Sequence, residues 1–81
     1  MNTVGARGVK WDGDILTIEL SDARSVAVDV SRVEWLGWLR AADKKTRRAF
    51  QIEEPDGFAI YWPDLDDGIE ILHLLTASPV G

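Results

Sequence analysis

The densest run of potentially reactive side chains is Trp62-Pro63-Asp64-Leu65-Asp66-Asp67-Gly68-Ile69-Glu70, with four carboxylates in seven residues. Such a run suggests oxygen ligation of a hard cation, or a pair of carboxylates sharing acid and base work. The calcium-loop register is absent. With Asp64 as first ligand and Asp66 as third, Gly68 falls on the fifth position instead of the sixth, and Leu75 stands where the bidentate Glu belongs. The sequence therefore predicts no metal and no cofactor, and assigns these carboxylates to turns and caps. His73 is the single imidazole, so a hydrolytic triad would have to combine it with Ser21, Ser25, Ser31 or Ser78. None of these serines sits in a Gly-x-Ser-x-Gly elbow, and no catalytic residue is assigned. With no cysteine there is neither a thiol nucleophile nor a disulfide framework.

Two further groups favour binding over catalysis. Arg40, Lys44, Lys45, Arg47 and Arg48 make residues 35–50 basic, with only Asp43 opposing them. Glu53, Glu54, Asp56, Asp64, Asp66, Asp67 and Glu70 make residues 51–81 acidic, with no lysine or arginine. The whole chain of 81 residues carries −5. A net negative protein is repelled by nucleic acid and anionic membrane, and its acidic half suits a basic protein partner. Tyr61 and Trp38 are the expected exposed anchors beside those carboxylates, because interfaces favour large aromatic side chains.

The elements that must hold these groups follow from turn signals and periodicity. Asp12-Gly13 marks a hairpin between a strand carrying Val9 and Trp11 and the alternating strand Ile15–Leu20. Ser21-Asp22-Ala23-Arg24 is a turn leading to a third alternating strand over 25–30. Ser31 and Glu34 predict a capping box for a helix over 32–42 that buries Val33, Trp35, Leu36 and Leu39, with Trp38 at its margin. Asp43 is expected to cap a second short helix ending at Arg48. Phe50–Ile52 and Phe58–Trp62 read as a second hairpin around Glu54-Pro55-Asp56-Gly57, followed by an acidic loop over 64–68. Ile69–Ala77 start extended and end helical, with His73 on the exposed side, and residues 78–81 fray. The expected core is Leu16, Ile18, Val26, Val28, Leu36, Leu39, Ile60, Trp62, Leu65, Leu72 and Leu75. The expectation is one small α+β domain over 1–81, an antiparallel sheet of four or five strands packed by two or three short helices. No apolar run is long enough for a membrane span, and residues 1–7 lack a signal pattern, so the expected location is the cytoplasm. A core this small leaves a monomer or a homodimer open.

The run Gly57-Phe58-Ala59-Ile60-Tyr61-Trp62-Pro63-Asp64-Leu65-Asp66, together with the Leu16–Val28 strand-turn-strand and Leu74-Leu75, resembles the domain-of-unknown-function 2442 family over about residues 9–77. Ala23 stands where that family usually has Gly, Asp29 where it has Pro, and Asp67-Gly68-Ile69-Glu70 where it has an acidic-Asp-Ile-Ser run. The resemblance implies a small α+β domain with no agreed catalytic residues, an architectural role for Trp62, Pro63 and Asp66, and relatives that look like partners of small toxins or neighbours of DNA-binding modules. Residue 77 is followed by no helix-turn-helix segment.

Together these features predict a non-enzymatic acidic module that occupies the nucleic-acid-binding surface of a basic partner. That partner would be a small toxin, or a nucleic-acid-binding effector blocked in the anti-CRISPR manner by DNA mimicry. The alternative is an accessory domain that contacts DNA or RNA through the 40–48 basic helix.

Overall fold

The computed structural model describes residues 4–76. In chain order they form β1 (Ala6–Asp12), β2 (Ile15–Leu20), β3 (Ser25–Asp29), α1 (Gly37–Arg40), α2 (Lys44–Arg48), β4 (Gln51–Ile52), β5 (Ala59–Trp62), β6 (Asp67–Glu70) and α3 (Ile71–Thr76). Single 3-10 turns at Glu34–Leu36 and Pro63–Leu65 lead into α1 and β6.

The strands make two three-stranded antiparallel sheets, β1-β2-β3 and β4-β5-β6, rather than the one sheet of four or five strands expected from sequence. Alternation fixes which face of a strand is buried, but it does not choose among possible partners. In the first sheet Trp11 pairs with Leu16, Leu16 with Val28, and Ile18 with Val26. Leu16, Ile18 and Leu20 are buried, while Val26 and Val28 are only half-buried because β3 lies at the sheet edge. In the second sheet Ile60, Trp62 and Ile69 are buried and Tyr61 faces outward. The sheets meet where the start of β1 crosses the β4–β5 turn. The Ala6 N–H donates to the Gly57 carbonyl at 2.6 Å, and Gly5 exchanges hydrogen bonds with Ser21. Gly57 has φ +69°, and a side chain there would run into the Ala6 backbone, so only glycine permits this crossing.

The predicted helix over 32–42 is broken. Both the N–H and the hydroxyl of Ser31 are taken by Asp29 Oδ1, at 3.0 and 2.6 Å, so the capping box with Glu34 does not form. Val33 stays extended, and the tighter 3-10 winding that follows leaves Trp35 exposed while Leu36 and Leu39 are buried. The last helix also departs from expectation. It begins at Ile71, so Ile71 and Leu74 share the inner face, Leu75 is half-buried and Leu72 is 68% exposed. Leu65 is half-buried. The expected fraying of 78–81 falls outside the described residues.

Ala23 adopts φ +73° in the β2–β3 turn, a left-handed conformation that costs an L-residue about 1 kcal/mol. Ala23→Gly is therefore expected to stabilise the fold by about 0.5–1 kcal/mol and raise Tm by about 4 °C in a thermal melt. An unchanged or lower Tm would show that this turn conformation is not held in solution.

Candidate functional site

The basic cluster is built on α2, whose sequence Lys44-Lys45-Thr46-Arg47-Arg48 contains no apolar residue. The Asp43 carboxylate caps it by accepting from the Thr46 N–H at 2.7 Å, and this bond holds the carboxyl below the usual carboxylate range. A helix without apolar side chains can turn only a polar one inward, and that residue is Arg47, 7% exposed. Its guanidinium donates to the carbonyls of Leu39, Arg40 and Gly13 at 3.0, 3.0 and 3.2 Å, and to Asp14 Oδ1 at 2.9 Å. It also lies 5.1 Å from the Trp11 ring centroid. The Arg47 carbonyl in turn accepts from the indole N–H groups of Trp11 and Trp62, both at 2.9 Å. Arg47 is therefore withdrawn from the expected nucleic-acid set, leaving Arg40, Lys44, Lys45 and Arg48 exposed.

Trp38 is likewise not the exposed anchor expected. It is half-buried, lies edge-on to Trp62 with ring centroids 5.6 Å apart, and donates to the Trp35 carbonyl. The exposed aromatics are instead Trp35, Phe58 and Tyr61. Trp35 meets the His73 ring edge-on at 5.0 Å, a contact that spacing did not signal because the two residues lie on separate elements.

Strand register places the acidic residues. Ala59 of β5 pairs with Glu70 and bonds to the Glu53 N–H, so Glu53 and Glu70 flank it in one cross-strand row. The next row on that outer face is Gln51, Tyr61 and Gly68. The Tyr61 hydroxyl, on a side chain 40% exposed, donates to Asp66 Oδ1 at 2.8 Å. Asp66 sits in the left-handed region at φ +49°, where the Pro63–Leu65 turn ends, and Asp67 Oδ1 accepts from the Gly68 N–H. Asp64 is exposed on the 3-10 turn itself. Glu54 and Asp56 stand apart at the β4–β5 tip, where with Glu53, Arg7 and Ser21 they line an open cleft of about 330 Å³. The register thus brings Tyr61, Glu53 and Glu70 onto one sheet face, the bond from Tyr61 sets Asp66 beside it, Asp67 pairs with Trp62 on the alternate row at the exposed start of β6, and Glu54 and Asp56 lie at the far end.

The ion pairs Lys10–Glu19, Arg24–Asp22, Arg32–Asp29 and Arg47–Asp14 all lie before residue 49. Among the described residues, none of the seven carboxylates between Glu53 and Glu70 is paired with a cation. Nor do the described residues bring three or more His, Asp or Glu side chains into a metal-holding group. None of their helices is long and apolar enough to cross a membrane.

A family model described as "Protein of unknown function (DUF2442)" matches residues 6–79. The chain is also similar to the crystal structure of a protein of unknown function from Rhodospirillum rubrum, with a TM-score of 0.77 at 18% identity. That alignment covers 94% of this chain and 89% of the other. At such identity the likeness concerns the fold alone. No curated protein matches the chain.

The hydrogen bond to Asp66, reinforced by the charges of Asp66 and Asp67, raises the Tyr61 phenol above the ordinary tyrosine value of 10.0. Because the folded value is raised, the contact stabilises the fold below about pH 10 and is lost as Tyr61 ionises at higher pH. Asp66→Asn, which tolerates the same backbone conformation, is expected to bring Tyr61 back down toward its ordinary value in an ultraviolet pH titration. An unmoved titration would mean that the contact does not persist in solution.

Proposed function

We propose that this chain, which belongs to the DUF2442 family, is a non-enzymatic binding module that covers a basic, nucleic-acid-binding surface of a protein partner with the outer face of its second sheet. The observation carrying this reading is the unpaired state of the carboxylates on and around that face, described above. Unpaired carboxylates keep their field, which steers a cationic partner and orients it on encounter. Tyr61, fixed by Asp66, adds an aromatic surface already held in place, so little side-chain freedom is lost on binding. Carboxylates spaced along a strand pair would stand in for phosphates, whether the partner is a small toxin or a nucleic-acid-guided effector. The surroundings of His73 also favour binding over catalysis, since its ring packs against Trp35 and forms no side-chain hydrogen bond among the described residues. The alternative reading, nucleic-acid contact through residues 40–48, is weakened by the burial of Arg47.

The test is affinity capture from lysate of the native host with wild type, the Asp66→Lys/Asp67→Lys variant and a Lys44→Glu/Lys45→Glu control. A basic nucleic-acid-binding protein should be retained by wild type and the control at low salt, and released by high salt. The Asp66/Asp67 variant should bind it about tenfold more weakly, mainly through slower association. Equal retention by that variant, or dependence on Lys44 and Lys45 instead, would overturn the proposal.

A further inference from the structure

Each sheet edge is an open row of backbone donors and acceptors, and most edges here carry features that discourage pairing. β1 has Arg7, Lys10 and an irregular register between Ala6 and Gly8. β4 is two residues long, and β6 carries Asp67 and Glu70 around Gly68. β3 differs. Its five residues Ser25-Val26-Ala27-Val28-Asp29 contain no proline, no lysine and no register break, and charge appears only at the last position.

The ladder shows which groups are open. The Leu20 N–H bonds to the Arg24 carbonyl, the Val30 N–H bonds to the Asp14 carbonyl, and Val26 and Val28 pair with Ile18 and Leu16. Antiparallel alternation therefore turns the backbone groups of residues 24, 26, 28 and 30 toward β2 and those of Ser25, Ala27 and Asp29 outward. Of these outward groups only the Asp29 carbonyl is engaged, by the Arg32 N–H at 3.0 Å.

We propose that β3 is a homodimer edge, pairing antiparallel with β3 of a second copy about a two-fold axis at Ala27, to give one six-stranded sheet. In this register Ala27 faces its own copy, Ser25 faces Asp29 of the second copy, and Val26 faces Val28. Each outward residue then faces a strand residue of the second copy, the Asp29 carbonyl offering its second lone pair beside its bond from the Arg32 N–H. The charges permit the contact. Asp22, Arg24, Asp29 and Arg32 sum to zero in a chain of net charge −5, and they pair within the chain as Asp22–Arg24 and Asp29–Arg32, so two copies of this edge meet without net repulsion. Sliding by two residues either way leaves Ser25 or Asp29 opposite a turn residue instead of a strand residue. An isologous contact of this kind closes on itself and stops at two.

The full-length chain should show reversible, concentration-dependent dimerisation by analytical ultracentrifugation. Ala27 is exposed, so Ala27→Lys and Ala27→Glu preserve the fold, with circular dichroism as the check. Each puts like charges directly across the axis and should weaken the dimer by about fivefold, while an equimolar mixture of the two should restore it as a heterodimer. A wild type that stays monomeric up to its solubility limit would overturn the proposal. So would a dimer indifferent to Ala27→Lys, or a mixture that fails to recover.

Discussion

The fold turns on one buried guanidinium. Arg47, on α2, reaches both the β1–β2 turn and the end of α1, where its guanidinium bonds the carbonyls of Gly13, Leu39 and Arg40. Its five N–H donors in a planar fork suit this task, because they reach carbonyls in several directions at once. The backbone carbonyl of the same residue takes one indole from each sheet, Trp11 from the first and Trp62 from the second. An acceptor with two lone pairs thus links both sheets through one atom. The ion pair with Asp14 is the lesser part of the arrangement, since that carboxylate side chain is 51% exposed and solvent weakens the attraction.

This arrangement also shapes the surface. Burying Arg47 removes a cation from the basic segment, and the ion pairs of the first sheet use Lys10, Arg24 and Arg32. The second sheet is left with seven carboxylates and no lysine or arginine of its own between Glu53 and Glu70. Its inner face is filled by Ile60, Trp62 and Ile69, so its outer face is free of packing duties. Trp62 connects the two roles, with its indole held by the Arg47 carbonyl while its neighbour Tyr61 points the opposite way toward Asp66.

Much of this was legible in the residues. Alternation located β2, β3 and β5, Asp12-Gly13 marked the first hairpin, and Asp43 marked the cap of α2, because each of these signals is local, whereas the start of β6 at Asp67-Gly68 was expected as loop. Most of what sequence left out depends on contacts between distant segments, and one miss is a local competition. Pairing partners are not encoded in a strand's own alternation, so one sheet was expected where two exist. Ser31 has the right spacing for a capping box, yet Asp29 competes for the same hydroxyl from two residues away. Arg47 reads as one member of a cationic run, and the usable signal was an absence: Lys44–Arg48 contain no apolar residue, so a packed helix had to turn a polar one inward. Of the acidic set, the sequence showed the abundance, and only the register showed that Glu53 and Glu70 flank Ala59 while Glu54 and Asp56 lie at the hairpin tip.

The most direct test of the role of Arg47 is denaturant unfolding of Arg47→Lys beside Asp14→Asn, followed by tryptophan fluorescence. Lysine keeps the charge but does not reproduce the planar fork, so the structure predicts a loss of about 3 kcal/mol for Arg47→Lys. Asp14→Asn should lose less than about 1 kcal/mol. Near-equal losses, or an Arg47→Lys protein within about 0.5 kcal/mol of wild type, would contradict the view that the bonds from the Arg47 guanidinium to backbone carbonyls fasten α2 to α1 and the β1–β2 turn.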